Sequence, residues 1–436
     1  MSRQLTGVFC IALFGVIGTM AQEKQKANPA YTLKISTDRP DALYQKGKAA
    51  VFSVSLLDAT DQPVSGRQVD IDIARELAHE HKVVMTTNAP VTFEATLDHP
   101  GFILCTVACA CEPGRKVTAR CGAGFDPLDI KQGRPAPEDF DAFWTKQKTE
   151  LAAIPMNPRL EPIEVPADSK GKVVSFDVKL DCVGGVPVSG YFSRPAGAAA
   201  KSLPAFLSLH ASGVRSARRQ EGRALKGMLA MDINAHGIEN GKPESYYTDL
   251  ETGRLSGYRT IGADSAEQYY FHGMFLRAVR ALEFLKSQPE WDGRTLMVFG
   301  SSQGGGQAIA AAGLDPQVSF CAALVPAMCE HTGFLVGQNS GWPSLVKFRD
   351  GKPESAAIFK TAGYYDAANF ASRIKAETFF NVGLIDVTCP PATVYTAYNN
   401  ISAVKSIENR PAMGHEYWAE EAEKRMAAYL ARARGK

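Results

Sequence analysis

Gly300, Ser302 and Gly304 form a G-x-S-x-G pattern inside VFGSSQGGGQAIAAAGLDP, residues 298–316. A serine hydroxyl is a poor nucleophile at neutral pH, so it must be held where a base can take its proton. The flanks supply that holding. An apolar run, RTLMVFG, enters a knot of glycines that opens into an Ala-rich helix. In that setting the chain turns sharply and projects the hydroxyl at a helix N-terminus. The bare pattern recurs by chance in long chains, and a glycine-softened loop is its plain alternative; the strand–turn–helix context gives this match its weight. Ser301 occupies the variable slot and is expected to point elsewhere. The glycines Gly304 to Gly306 are read as permitting close helix–strand approach.

The base must lie downstream, because a serine on such an elbow is followed in chain order by an acid and then a histidine. Of eight histidines only His331 and His415 follow Ser302. His415, in RPAMGHEYW, falls in a loop between the last strand and the C-terminal helix, where the base belongs. His331, in AMCEHTGF, comes too early and is read as lining the substrate pocket. Asp386 directly follows the apolar run TFFNVGLI and is placed to orient the imidazole; Asp366, in GYYDAANF, begins a polar connection and is the runner-up. Glu416 points away from the working edge of the ring. A tetrahedral oxyanion needs two aimed N–H donors. One is expected from Gln303, the residue after the nucleophile. The other is expected from the loop after AFLSLH, at Ser212 with Ala211 as the alternative. This chemistry requires no metal or cofactor, and neither a phosphate loop nor a dinucleotide fingerprint is present.

The elements that must position these residues follow from the texture of the chain. Its 436 residues predict two domains. Apolar content of 45%, charged content of 22% and a net charge of +2 describe an ordinary globular protein with no electrostatic pull toward nucleic acid. Residues 1–21, MSRQLTGVFCIALFGVIGTMA, read as a secretory signal peptide: Arg3, a short apolar core, then Thr19 and Ala21 before a cleavage site. A secreted or periplasmic location is therefore expected, with no transmembrane segment. Residues 28–125 show seven short alternating runs separated by turn residues, which predicts an immunoglobulin-like β-sandwich. Within it ILCTVACAC puts Cys105, Cys109 and Cys111 on one strand face. Core packing is the preferred reading, with a Cys105–Cys121 disulfide second and a metal site disfavoured by the absence of paired knuckles. Phe52, Phe93 and Phe102 read as core and offer no aromatic platform for glycan. Residues 126–436 open with the amphipathic stretch PEDFDAFWTKQKTELAAI. Apolar strands then alternate with helices, which predicts an α/β fold with a parallel sheet covered on both faces.

These residues closely resemble carbohydrate esterase family 7, the acetyl xylan esterases and cephalosporin C deacetylases. The matching stretches are PEDFDAFW, YYFHGMFLRAVRALEFL, GSSQGGGQAIAAAGLDPQV, VGLIDVTCPPATVYTAYN and GHE, spread over residues 130 to 436. The resemblance implies an α/β-hydrolase fold, a triad of Ser302, Asp386 and His415, and removal of acetyl groups from acetylated carbohydrate. Two departures border the pocket. Asn234, Ala235 and His236 stand where the family carries R-G-Q, which puts His236 in the expected pocket. His210, Ala211 and Ser212 replace its H-G-Y, removing an aromatic side chain; Trp418, His331 and the VTCPP loop are expected to close that space. The sandwich is additional to the minimal family chain and leaves open whether the family's ring-like homo-oligomer persists. A general carboxylesterase, a prolyl-oligopeptidase-like exopeptidase and a glycan-binding protein with a relic hydrolase domain are the competing readings. The exopeptidase lacks its propeller-length repeats, and the relic is disfavoured by an intact Ser302, Asp386 and His415.

Overall fold

The computed structural model describes residues 30–435 apart from 77, 113 and 417, so the expected signal segment lies outside the described residues. The first strands are β1 (Tyr31–Thr37), β2 (Leu43–Tyr44), β3 (Ala50–Asp58), β4 (Gln68–Arg75), β5 (Ala78–Met85), β6 (Val91–Ala95), β7 (Gly101–Glu112) and β8 (Arg115–Phe125). They form two sheets, ordered β1-β3-β6 and β2-β8-β7-β4-β5. Alternation decides which residues face inward. On β3 the side chains of Ala50, Phe52, Val54 and Leu56 are buried while those between are partly exposed. Cys105, Cys109, Cys111 and Cys121 all join this core as free thiols. Cys105 and Cys121 face each other in register across β7 and β8. Phe52 and Phe93 stack at 5.2 Å.

Phe102 departs from the expectation that it belongs to the sandwich core. It has the opposite parity to Ile103, Cys105 and Val107 on β7, so it points out of the sandwich and joins the hydrolase core, 5.5 Å from the ring of Tyr395.

The second domain continues with α1 (Phe140–Ala152), β9 (Arg159–Ile163), β10 (Val173–Leu180), β11 (Val188–Pro195), β12 (Leu203–Leu209), α2 (Glu221–Leu225), β13 (Leu229–Ile233), α3 (Glu244–Thr252), α4 (Tyr270–Ser287), β14 (Trp291–Ser301) and α5 (Gln303–Leu314). It closes with β15 (Phe320–Leu324), the short pair β16 (Phe348–Arg349) and β17 (Lys352–Pro353), α6 (Ala356–Tyr365), α7 (Ala367–Ala371), β18 (Glu377–Gly383), α8 (Pro391–Asn400), β19 (Lys405–Arg410) and α9 (Ala419–Arg434). One nine-stranded sheet runs β19-β18-β15-β14-β12-β13-β11-β10-β9. It is parallel from β13 through β19 and antiparallel beyond. This is an α/β-hydrolase sheet. Its strands are apolar on both faces because both are covered. Phe206, Met297, Phe320 and Phe379 meet Ala422, Met426 and Leu430 of α9, whereas Leu207, Val298, Cys321 and Phe380 join the larger core that includes α4, α5 and α8.

Helix α4 begins at Tyr270, because the preceding chain is folded into turns against Gly262, whose φ is 66°. One local expectation needs correcting. The segment around Asp366 is not a polar connection. It joins α6 to α7, and the Asp366 side chain caps α7 by accepting from Ala368 N at 2.9 Å.

The domains meet at Gly122, whose N–H donates to Pro411 O at 2.8 Å. A Cβ there would overlap the Leu384 backbone. Gly122→Ala should therefore lower the thermal unfolding midpoint, by an amount equivalent to about 1–3 kcal/mol for forced overpacking. Gly222→Ala, where no atom lies within 4 Å of the added methyl, is the control and should not. Equal midpoints for both would show that the joint is not tightly packed.

Candidate active site

Ser302 joins β14 to α5 with φ 54° and ψ −123°, a backbone conformation that L-residues adopt at a cost of roughly 1–2 kcal/mol. The surroundings hold it there. Its N–H donates to Leu324 O at 2.9 Å, and its carbonyl accepts from Gly306 N and Ala327 N at 3.1 and 2.9 Å. The glycines make the bend possible by what they lack: a Cβ on Gly300 would overlap the Gly304 carbonyl, and one on Gly304 would overlap Leu209 O. Gly305 and Gly306 leave less extreme but still tight gaps for a Cβ, at 2.9 Å to Pro326 and 2.4 Å to Ala327 O. Ser301 stays in the sheet, paired with Leu324.

Asp386 and His415 come to the serine from two loops beyond β18 and β19. Asp386 follows a tight turn in which its N–H donates to Gly383 O at 3.2 Å. Its Oδ1 accepts from Thr388 N and Cys389 N at 2.8 and 2.9 Å, which leaves Oδ2 for the imidazole. His415 Nδ1 lies 2.8 Å from Asp386 Oδ2, and His415 Nε2 lies 2.8 Å from Ser302 Oγ. With Nδ1–H donating to the carboxylate, Nε2 is free to accept the serine proton. The carboxylate side chain is fully buried while the histidine remains partly open. The histidine loop crosses directly over Gly383, where a Cβ would overlap the carbonyls of Met413 and Gly414. Asp366 is not brought to His415. It accepts from the backbone N–H groups of Glu330, His331 and Ala368, and burial pushes its carboxyl up to about 6.

The opposite wall is the loop after β12. His210 is buried and held neutral, its pKa lowered to about 4 by desolvation. Its Nε2 accepts from Ala235 N at 3.1 Å, so Nδ1 carries the proton and donates to Ala211 O at 2.7 Å. Arg215 Nη2 donates to the same carbonyl at 2.9 Å and also to Ser212 O. Fixing the Ala211 carbonyl fixes the planar peptide, so the Ser212 N–H points the opposite way. On the serine side the Gln303 N–H opens α5, and no carbonyl precedes it in the helix to accept it. The Gln303 side chain is buried, and Tyr258 Oη donates to its Oε1 at 2.6 Å. Tyr258 is not marked in the sequence because its role depends on chain folded back from a distant position, whereas Arg215 acts within its own loop, three and four residues from the carbonyls it binds.

The three residues expected to line the pocket are placed differently from one another. His236 is buried, with Nδ1 2.7 Å from Tyr270 Oη and Nε2 3.3 Å from Gly213 O. It supports the oxyanion loop through Gly213 and packs edge-on against Tyr258 at 4.7 Å, so both its nitrogens are already engaged within the protein. His331 is also buried. Burial lowers its pKa to about 4, so it is neutral. Both were expected to line the substrate pocket; both side chains are buried, and His236 borders a cavity with Tyr270 and Arg254. Trp418 is partly exposed, with the Arg410 guanidinium 4.4 Å from its ring centroid. Asn234, in place of the family tripeptide, folds its own turn: Oδ1 accepts from His236 N and Ile238 N.

Asp386, Cys389 and His415 place one potential ligand atom each within 4.8 Å of one another. Metal binding would require a Cys389 thiolate, and burial holds that thiol protonated by raising its pKa well above the usual range. The Asp386 and His415 atoms are already spent on each other. The cluster is a hydrogen-bonded one.

Comparison with known proteins places this geometry in context. The acetyl xylan esterase (AXE1) family model matches residues 128–433. An acetyl esterase, Axe7A, of Xylanibacter ruminicola is 27% identical over 424 residues, covering 94% of this chain and 92% of its own. An acetyl xylan esterase structure from Paenibacillus sp. R4 superposes with a TM-score of 0.59 at 30% identity, covering 70% of this chain and 98% of its own. Acetyl xylan esterase 1 of Thermoanaerobacterium sp. shares the fold, with a TM-score of 0.59 at 24% identity and coverage of 69% and 96%. The two solved structures thus account for about as much of the chain as its hydrolase domain, whereas the Xylanibacter relative extends into the sandwich.

Removing the Tyr258 hydroxyl leaves the buried Gln303 amide without its donor, a loss worth about 1–3 kcal/mol. Tyr258→Phe should lower esterase kcat by roughly tenfold with little change in KM. A change confined to KM would place Tyr258 in ground-state binding instead.

Proposed function

This chain belongs to the acetyl xylan esterase family and is a carboxylic-ester hydrolase, and we propose that it deacetylates xylan or related carbohydrate through Ser302, His415 and Asp386. The observation that carries the mechanism is the pair of 2.8 Å hydrogen bonds made by the two nitrogens of His415. In acylation His415 Nε2 takes the Ser302 proton as Oγ attacks the acetyl carbonyl. The oxyanion that forms is met by the N–H groups of Gln303 and Ser212, at the positive end of α5. Collapse breaks the ester bond, and His415 returns the proton to the departing sugar oxygen. Water, deprotonated by the same nitrogen, then attacks the acetyl-serine and releases acetate, restoring the Ser302 hydroxyl. Asp386 holds the imidazole in the Nδ1–H tautomer and stabilises the imidazolium. No described helix is long and apolar enough to cross a membrane. With the N-terminal segment read as a cleaved signal, the proposed site of action is outside the cytoplasm, where polymeric xylan is accessible.

Ser302→Ala should lower kcat by several orders of magnitude, and Ser301→Ala should stay near the parent. His415→Ala should match the serine variant, and the double variant should be little worse than either, because the members of a triad act as one unit. Asp386→Asn should cost about 10⁴ in kcat by favouring the wrong tautomer. A comparable loss in Asp366→Asn with an intact fold would overturn the acid assignment.

Acyl size discriminates this esterase from a general carboxylesterase. One methylene in a hydrophobic pocket changes kcat/KM by about 10–200-fold. Measured on one preparation, kcat/KM should fall from 4-nitrophenyl acetate to butyrate to octanoate. An octanoate value equal to acetate would favour the general carboxylesterase.

A further inference from the structure

A cleft of about 530 Å³ runs between the sandwich and the hydrolase domain, and one of its walls is Asp386 and Val387. That volume lies within the roughly 300–1,000 Å³ typical of small-molecule sites, which favour domain interfaces. We propose that this cleft is a carbohydrate subsite that binds sugar rings of the same chain whose acetyl ester is cleaved at Ser302. The proposal rests on the esterase reading above and adds a second domain to the substrate-binding surface.

Position is the first argument. The cleft wall includes the loop that carries Asp386, whose carboxylate holds the imidazole of His415 against Ser302. Val387 stands 69% exposed at that junction and leaves the lip open.

The lining is the second. A pyranose offers hydroxyls at its edge and an apolar C–H face. Here Val387 and Pro390 supply apolar surface, and His79, Asn339 and Ser344 supply donors and acceptors. The side chains of Asn339 and Ser344 make no hydrogen bond to another described residue, so they are free for a ligand.

Rigidity is the third. His79 sits on β5, which is paired with β4 in unbroken register from Gln68–Met85 to Arg75–Ala78. Glu76, which follows β4 at φ 48°, ties the end of that strand to β7, its Oε1 accepting from Phe102 N at 3.2 Å. Gly101 leaves room for that carboxylate, since a Cβ there would stand 2.8 Å from Oε1. The sandwich is held on the hydrolase domain by the Gly122 contact, so both walls keep their spacing. A site built on paired strands positions a ligand better than one on loops.

The test compares kcat/KM for 4-nitrophenyl acetate, acetylated xylose and acetylated xylotetraose in the parent, His79→Ala, Asn339→Ala and the combined variant. The His79 side chain is 65% exposed and Asn339 lies on an exposed loop, so truncation spares the core. In the parent, kcat/KM should rise at least tenfold from acetylated xylose to acetylated xylotetraose, mainly through KM. The combined variant should lose five- to tenfold of that ratio. A parent without chain-length dependence, or variants that keep it in full, would overturn the subsite and leave the esterase reading standing. Turnover of 4-nitrophenyl acetate with none of either acetylated sugar would overturn the carbohydrate reading, and the subsite with it.

Discussion

The structure depends on a backbone that comes too close to itself for side chains. The turn at Ser302 exists only because β14, α5 and the end of β12 converge within a carbonyl's width, and Gly300 and Gly304 are the residues that allow it. Holding a serine at φ 54° is unfavourable for the residue alone. It is offset by three backbone hydrogen bonds and by the burial of α5 between β14 and β15. The strain is local and its support is distributed, which is how a reactive geometry survives thermal motion. The same logic recurs at Gly383, where the histidine loop lies on the chain that carries the acid. Serine, acid and histidine are thus fixed relative to one another by main-chain contacts, and their side chains need only complete the last bond.

Around that framework the polar groups are arranged so that each has one role left. Asp386 gives one oxygen to two backbone N–H groups and keeps the other for His415. His210 accepts with one nitrogen and donates with the other, so its tautomer is fixed and burial keeps it uncharged. Arg215 binds the Ala211 and Ser212 carbonyls of the loop after β12, which turns the Ser212 N–H the opposite way. Preorganised dipoles of this kind stabilise developing charge without having to reorient during the reaction.

That Ser302 sits on a tight turn, Asp386 at a strand end and His415 in the loop after the last strand was legible in the sequence, because each position is marked locally, by glycines at fixed spacing or by the end of an apolar strand. The α/β-hydrolase sheet was legible for a similar reason, since strands covered on both faces read as continuous apolar runs. What escaped notice depends on distant parts of the chain meeting. Tyr258 lies in turns with no regular pattern, and only the fold brings it to Gln303. His236 and His331 carry chemistry-bearing rings, but their sequence positions could not show that burial would close them off. Phe102 was the one legible signal passed over: its parity on β7 is opposite to that of the sandwich core, which says that something else must cover it.

That covered Phe102 changes how the N-terminal domain should be regarded. A sandwich tethered by a linker would present its outer sheet face to water, and a large aromatic there would be costly. Instead the five-stranded sheet lays Phe102 against Tyr395 on α8 and lets Gly122 meet the Pro411 carbonyl in the histidine loop region. Both contacts fall on segments that also position the reacting groups: α8 follows the Asp386 loop, and Pro411 precedes His415 by four residues. The domain is therefore braced against the side of the hydrolase from which the acid and the histidine emerge.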